Sequence, residues 1–347
     1  MSANILGIDL GTENIKVYST RRNAVIVEKN AIAIQNRKKV AAIGSDAYEM
    51  YEKAPDSFQI RFPIRHGVIA DYQDMCDIFM YVLQKYFKSV CRGATAVIAV
   101  PTGLSEVQTR AYHEMVESTK IRFRNILMCE KPIAAAVGMD VPLMEPSAIC
   151  VVDAGADTVE IALLSAGSVV ISRQIPIGSN QIADSLVSVI RRSSNLLIGH
   201  KTALTLLERA ATATDPRPDR LVTVIGRDLL SGYPGEIAVS EKQIYDAALP
   251  YYRQISENLK ILLDRAPTEL LTDVRKDGIW LTGGLAGVRG LPQYLANESQ
   301  YRVNVSRNPI KGTAIGLSRI GEDKELSRLT YSMRRGHGVF RNSQKRQ

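Results

Sequence analysis

Two short stretches carry residue types that suit phosphate chemistry. Leu6 to Ser19 reads LGIDLGTENIKVYS: an apolar run, then Asp-x-Gly-Thr-x-Asn, then an alternating run. The pattern predicts a strand, a tight turn and a second strand, with Asp9 at the mouth of the turn. Such a turn aims several backbone N–H groups at one point, which favours an anion such as phosphate. Cys150 to Leu164, CVVDAGADTVEIALL, writes the pattern again. Asp153 stands where Asp9 does, and Gly155 follows it by two residues as Gly11 follows Asp9. A repeated unit of this kind predicts two related half-domains closing on one nucleotide.

The elements around these turns follow one order twice. After the opening hairpin, Ala24 to Ile43 predicts two or three strands and Ser45 to Glu52 a short helix, with an extended crossover over Phe58 to Ile69. Asp71 to Ser89 repeats apolar residues at helical spacing: Met75, Ile78, Phe79, Val82 and Tyr86. A buried strand, Thr95 to Val100, precedes a helix over Leu104 to Ser118. A short strand, Asn125 to Cys129, is followed by a helix opened by Pro132, as proline at the first turn favours. The second half predicts strands at Ala148 to Asp153, Thr158 to Leu164 and Ser168 to Pro176, then helices at Asn180 to Arg192 and Lys201 to Ala213. Strands at Leu221 to Ile225 and Glu236 to Val239 flank the loop GRDLLSGYPG. Ser240 caps the longest helix, Ile279 to Thr282 is a strand entering Gly283-Gly284, and helices close the chain at Val288 to Ala296 and about Gly312 to Ile320.

A chain of 347 residues that is 45% hydrophobic can bury two ordinary cores. No apolar run reaches the ~20 residues of a membrane span, and MSANILGIDL lacks the regions of a signal peptide. The four cysteines are scattered with no Cys-x-x-Cys spacing, which predicts reduced core thiols in the cytoplasm. Of the net charge of +8, six positive charges fall after Ser327, where there is no acid, so the body is nearly neutral. That basic end reads either as a flexible, solvated terminus or as a contact for an acidic surface, anionic lipid before nucleic acid.

Eight motifs in order then carry a resemblance. They are GIDLGT at Gly7, GVIADY at Gly67, VPTG at Val100, PIAAAVG at Pro132, VVDAGADT at Val151, IGHKTA at Ile198, GRDLLSGYP at Gly226 and LTGGLAGVRG at Leu281. Over residues 5–320 the chain resembles the MreB-type bacterial actins, within the superfamily of actin, heat-shock chaperones and sugar kinases. The resemblance implies an α/β, actin-like fold of two ribonuclease H-like domains around a cleft holding ATP and Mg²⁺. Domain I would span 1–140 with a small subdomain at about 30–70. Domain II would span 141–320 with a small subdomain at about 181–239 and its final helix, 312–320, packed back on domain I. Residues 321–347 would be a flexible basic tail. It also implies head-to-tail filaments beneath the inner membrane that guide cell-wall synthesis.

The same resemblance assigns roles. Asp9 and Asp153 would hold the magnesium through waters, since Mg²⁺ keeps its hydration shell. Gly11, Thr12, Glu13 and Asn14 would form the first phosphate loop, chiefly through backbone amides. Gly155, Ala156, Asp157 and Thr158 would form the second. Gly283, Gly284, Leu285 and Ala286 match the adenosine loop.

Four departures from the family pattern touch the nucleotide. Where the family has Glu-Glu-Pro, with the second glutamate positioning the attacking water, this chain has Glu130-Lys131-Pro132. Lysine offers donors and no acceptor, so hydrolysis is expected to be weak or absent. In the second phosphate loop Asp157 replaces a glycine. Such a charge about 5 Å from a phosphate costs roughly 3 kcal/mol at an effective dielectric of 20. Asp157 could pair with Lys131 or ligate the metal, or each side chain could point into solvent. Leu285 replaces a third glycine. Leu207 and Arg209 stand where the family has lysine and glutamate, with Glu208 out of phase.

No apolar N-terminal helix or loop is available for membrane attachment. The basic tail, with Tyr331, Met333 and Phe340 among its charges, is the expected substitute. The leading expectation is a nucleotide-responsive filament. The alternatives are a paralogue that copolymerises as an adaptor with an active MreB, and a small-molecule kinase, for which no acidic base beside an acceptor pocket is visible. No nucleic-acid recognition motif is present.

Overall fold

The computed structural model describes residues 3–334 and 337–340. β1 (Ile5–Leu10), β2 (Asn14–Ser19) and β3 (Ala24–Lys29) form an antiparallel meander. β4 (Ile32–Gln35), β5 (Lys39–Ile43) and β6 (Phe58–Arg61) make a separate small sheet, with α1 (Ser45–Met50) between its last two strands. The crossover expected to be irregular contains β6 and a two-strand ribbon, β7 (Ile64–Arg65) and β8 (Val68–Ile69). α2 (Tyr72–Tyr86) starts at Asp71, whose side chain accepts from the Asp74 amide. β9 (Thr95–Val100), α3 (Glu106–Ser118), β10 (Asn125–Glu130) and α4 (Lys131–Gly138) complete this half. Ser105 and Gln108 form a capping box on α3.

The sheet order is β10-β9-β1-β2-β3, with β9 and β10 parallel to β1. β1 and β9 are buried along their whole length. Their sequences, ILGIDL and TAVIAV, accordingly lack the alternation of a half-exposed strand.

The second half repeats this topology. β11 (Ala148–Ala154), β12 (Val159–Ser165) and β13 (Ser168–Ile175) are the meander. After α5 (Ser179–Ser194), β14 (Leu196–Leu197) and α6 (His200–Ala210) comes the hairpin β15 (Leu221–Asp228) and β16 (Pro234–Ser240). The expected ten-residue loop is therefore half strand, with 229–233 turning. α7 (Glu241–Asp264) carries a Ser240–Gln243 capping box. α8 (Thr268–Asp277), which had no sequence expectation, buries Val274 and packs Leu270 and Leu271 part-buried against the same core. β17 (Ile279–Thr282) leads through a 3-10 turn, Gly284–Gly287, to α9 (Leu291–Ser299) and β18 (Val303–Val305). The large sheet is ordered β13-β12-β11-β17-β18, the counterpart of the first.

α10 (Gly312–Glu322) returns to lie on α4 and β1. The approach is backbone on backbone: a Cβ on Gly316 would meet the Ala134 carbonyl, and one on Gly138 the Gly312 carbonyl. Glycine is required there by proximity rather than by dihedral angle.

Residues 321–334, expected as the start of a flexible tail, are ordered instead. They finish α10, form a 3-10 turn at Leu326–Leu329 and begin β19 (Ser332–Arg334), which pairs with β20 (His337–Phe340). Tyr331 exchanges backbone hydrogen bonds with Met128, and Tyr331 and Met333 pack against the core of the first half. These two side chains are spent on folding, so they are not spare apolar contacts for a membrane. Arg335, Arg341, Lys345 and Arg346 lie outside the described residues. No described helix is long and apolar enough to cross a membrane.

Candidate functional site

The two hairpin turns face a cavity of about 680 Å³ between the halves, a size suited to a small-molecule ligand. Their geometry is the same. Leu10 pairs with Ile15 and Ala154 with Val159, and inside the turns the Gly11 amide donates to Asn14 O (3.0 Å) and the Gly155 amide to Thr158 O (2.9 Å). The two glycine amides are thus used by the turns themselves. The amides of Thr12, Glu13, Ala156 and Asp157 have no partner among the described residues, and all four residues line the cavity with Asn14 and Thr158.

The aspartates sit one step further down each hairpin. Asp9 lies across the ladder from Lys16, and Asp153 across from Glu160. Lys16 Nζ is 2.8 Å from Asp9 Oδ2. Asp153 faces a like charge on its own hairpin, and its cation comes from elsewhere: Lys131, the first residue of α4, places Nζ 2.7 Å from Asp153 Oδ2. Burial opposes the Asp9 charge, but Lys16 and Lys131 outweigh it and hold the carboxyl below its usual range. Burial likewise opposes the Lys131 charge, and Asp153, Asp9 and Glu160 together raise its pKa. Burial pushes the Glu160 carboxyl up to about 7, against the pull of Lys131 and of hydrogen bonds from Thr102. Those bonds come from the Thr102 amide (2.7 Å) and hydroxyl (2.6 Å), in the Val-Pro-Thr-Gly segment after β9.

Of the alternatives open to Asp157, the pair with Lys131 does not form. Asp157 is buried and held by other groups: Oδ2 accepts from the His66 amide (2.6 Å) and Oδ1 from Gln181 Nε2 (2.5 Å). It ties the second turn to the β7–β8 ribbon of the first half, so neither pairing with Lys131 nor solvation is its role here. The nearer partner wins because Asp153, with Glu160 opposite, concentrates negative charge beside Lys131.

At the other end of the cavity, Gly283 has φ 87° and its Cβ position is taken by the Ala154 carbonyl, so only glycine fits. Gly284 is open and Leu285 buried, and both line the cavity; Ala286 is buried behind them and is not part of the lining. Leu207, Glu208 and Arg209, in the last turn of α6, all line it, including the glutamate expected to be out of phase. Glu130 does not line it.

The rim above the cavity is joined across the halves. Glu52, just after α1, accepts from the His200 amide (2.5 Å) and the Lys201 amide (3.1 Å) at the start of α6. Lys201 Nζ in turn donates to the Tyr48 carbonyl (3.1 Å).

Magnesium was expected between Asp9 and Asp153. Each carboxylate already carries a lysine ammonium, and a divalent cation between them would lie against both. Among the described residues no three carboxylate, histidine or cysteine side chains gather as a metal-ligand set. Of the oxygens of these two aspartates, only Oδ1 of Asp9 is left buried without a partner among the described residues. These residues do not fit the ion as the expected pair of acidic anchors.

Comparison with known proteins places this geometry. A family model described as MreB/Mbl protein matches residues 3–328. The chain belongs to the MreB/Mbl family. The cell shape-determining protein Mbl of Bacillus subtilis (strain 168) is 32% identical over 318 residues, 91% of this chain and 95% of that protein. The cell shape-determining protein MreB of Escherichia coli (strain K12) is 32% identical over 325 residues, 91% of this chain and 92% of that one. MreB5 of Spiroplasma citri bound to AMPPNP superposes with a TM-score of 0.86 at 26% identity, covering 93% of this chain and 96% of that one. The double helical filament protein MamK, 20% identical, shares the fold with a TM-score of 0.77. The fold is actin-like.

Against the MreB/Mbl pattern, the sequence reading missed Lys16, Glu160, Thr102 and His66. Two of these had a usable signal. In a hairpin whose turn occupies Gly11–Asn14, the residue facing position 9 is position 16; the same count gives Glu160 opposite Asp153. His66 and Thr102 come from distant segments, and only the folded chain brings them near.

Proposed function

We propose that this MreB/Mbl-family protein binds ATP between its two halves, assembles head to tail into filaments beneath the cytoplasmic membrane, and takes part in determining cell shape by guiding wall synthesis. It hydrolyses ATP slowly or not at all. The observation that carries the nucleotide reading is the cavity between two matched turns with four unpartnered amides directed by the same local fold. MreB5 of Spiroplasma citri, which superposes on this chain, has been solved with AMPPNP and with ADP. The reading of slow hydrolysis rests on Lys131, which stands at the position of the family's water-positioning glutamate and is engaged with Asp153.

Self-association is supported by apolar surface at the β15–β16 hairpin. Leu230 is 82% and Tyr233 72% exposed at its tip, with Leu229 beside them. Exposed clusters of this kind mark contact sites, and a tip that fits a different surface on the next copy builds an open polymer. The ion pair at Lys131 also favours a second role, that of an adaptor copolymerising with a hydrolysing paralogue.

The test is made on the purified full chain with ATP: equilibrium binding, phosphate release, and electron microscopy of the same sample. Saturable binding with filaments and little phosphate release is expected. Absence of binding overturns the nucleotide reading, and turnover typical of an ATPase overturns the reading of Lys131. Leu230→Asp is expected to abolish sedimenting polymer while leaving nucleotide binding intact; unchanged polymer would remove the hairpin tip from the contact.

A further inference from the structure

We propose that the ammonium groups of Lys16 and Lys131 take the place of a divalent cation, so that this protein binds its nucleotide as the metal-free polyphosphate anion. The inference rests on the reading of the cavity as a nucleotide site and concerns what neutralises the phosphates there.

Two lysines together carry the same formal charge as one magnesium ion, and both are anchored at the base of the phosphate turns. Lys16 sits on β2, across from Asp9 and directly beyond the first turn. Lys131 is fixed by the start of α4 and reaches Asp153 below the second. Each uses one of its three N–H donors on a carboxylate, at 2.8 and 2.7 Å, which leaves two donors on each for phosphate oxygens. Both side chains line the cavity.

A hydrated magnesium ion entering the same place would have to approach two fixed positive charges. It would also find both aspartates already paired, with Oδ1 of Asp9 the one oxygen of those two carboxylates that is buried and still unmatched among the described residues. To admit the ion, the lysines would have to leave carboxylates that are themselves almost fully buried. Magnesium also demands six oxygens in near-octahedral arrangement. Ammonium groups make no such demand, so the charge balance is met by the protein before any ligand arrives.

The asymmetry of the two hairpins points the same way. The first has its own lysine across the ladder, while the second has Glu160 there and borrows Lys131 from α4. The result is one lysine on Asp9 and one on Asp153.

The experiment is equilibrium binding of a fluorescent ATP analogue to the full-length protein, in excess Mg²⁺ and in EDTA. Wild-type affinity is expected to agree within about threefold between the two conditions, less than 1 kcal/mol by the usual conversion. Lys16→Leu is expected to weaken binding at least about tenfold in EDTA and to regain most of it with Mg²⁺, because removing one ammonium frees Asp9 for the ion. Circular dichroism of the variant establishes that it is folded, and the wild-type comparison needs no variant. Binding in Mg²⁺ that disappears in EDTA overturns the inference and leaves the nucleotide reading standing. Binding in neither condition overturns the nucleotide reading and the inference with it.

Discussion

Lys16 and Glu160 stand at the same place in two equivalent hairpins, each across the ladder from an aspartate, and they carry opposite charges. Like charges directly opposite one another destabilise a strand pair. The Asp153–Glu160 pair is eased by burial, which pushes the Glu160 carboxyl up to about 7, and by the cation beside it, Lys131. Its presence at the head of α4 has a structural reason independent of catalysis.

Removing Lys131 should accordingly be costly. Lys131→Met leaves the buried Asp153 carboxylate without its cation, and breaking a buried pair in this way costs about 3–5 kcal/mol. Urea denaturation measures it. Adding Glu160→Gln should restore part of the loss, whereas adding Asp157→Asn should be additive to within about 0.5 kcal/mol, because Asp157 shares no partner with Lys131. Strong coupling between Lys131 and Asp157 in that cycle would contradict the arrangement described here.

The rim is expected to respond to Glu52. Its carboxylate receives the first two amides of α6, where a negative charge is favoured by the helix dipole. Glu52→Ala should cost about 1 kcal/mol locally and speed hydrogen exchange at the His200 and Lys201 amides by roughly fivefold. Exchange rates identical to wild type would show that the rim is not held by this residue.

Acid should release a different joint. Glu28 is buried at the end of β3 and accepts from the Ser45 amide and hydroxyl, the Lys29 amide and the Tyr86 hydroxyl. Burial opposes its ionisation, but the Ser45 and Tyr86 hydrogen bonds lead a set that lowers its pKa below the ordinary 4.5. The folded value lies below the unfolded one, so the stabilisation is complete above about pH 4.5 and is lost as pH falls through the folded value. Glu28→Gln should flatten the acid limb of the stability profile, at a cost of about 1–3 kcal/mol at neutral pH. An unchanged acid limb would assign that limb to other carboxylates.

The α4–α10 contact should tolerate no added bulk. Gly316→Val forces Cγ atoms into the Ala134 carbonyl, and overpacking of this kind costs typically about 1–3 kcal/mol, more where backbone must move. A thermal melt of the variant checks it, and a wild-type melting temperature would mean that α10 sits farther from α4.

Much of this was legible in the chain because local pattern and repetition carried it. The paired turns, the buried strands of both sheets and the amphipathic α2 and α7 follow from residue types within a few positions of each other. What was hidden depends on distance in sequence. Charge alone offers Lys131 as one partner for Asp157, but His66 and Gln181 hold it, and no spacing rule connects residues 66 and 157. α8 had no expectation because its apolar stripe, Leu270, Leu271 and Val274, is only three residues among charged and polar neighbours. The tail misled by composition: its arginines suggested solvation, while the fold uses the apolar side chains between them, Tyr331 and Met333, as core.

That docked segment covers part of an exposed sheet edge. β10 is the last strand of the first large sheet, and an open last strand is a template on which any extended chain can add itself. Here Tyr331 occupies the Met128 position with a reciprocal pair of backbone bonds, at 2.8 and 2.9 Å. Each copy thereby blocks its own template there. Growth by strand addition is closed at that point of the sheet edge.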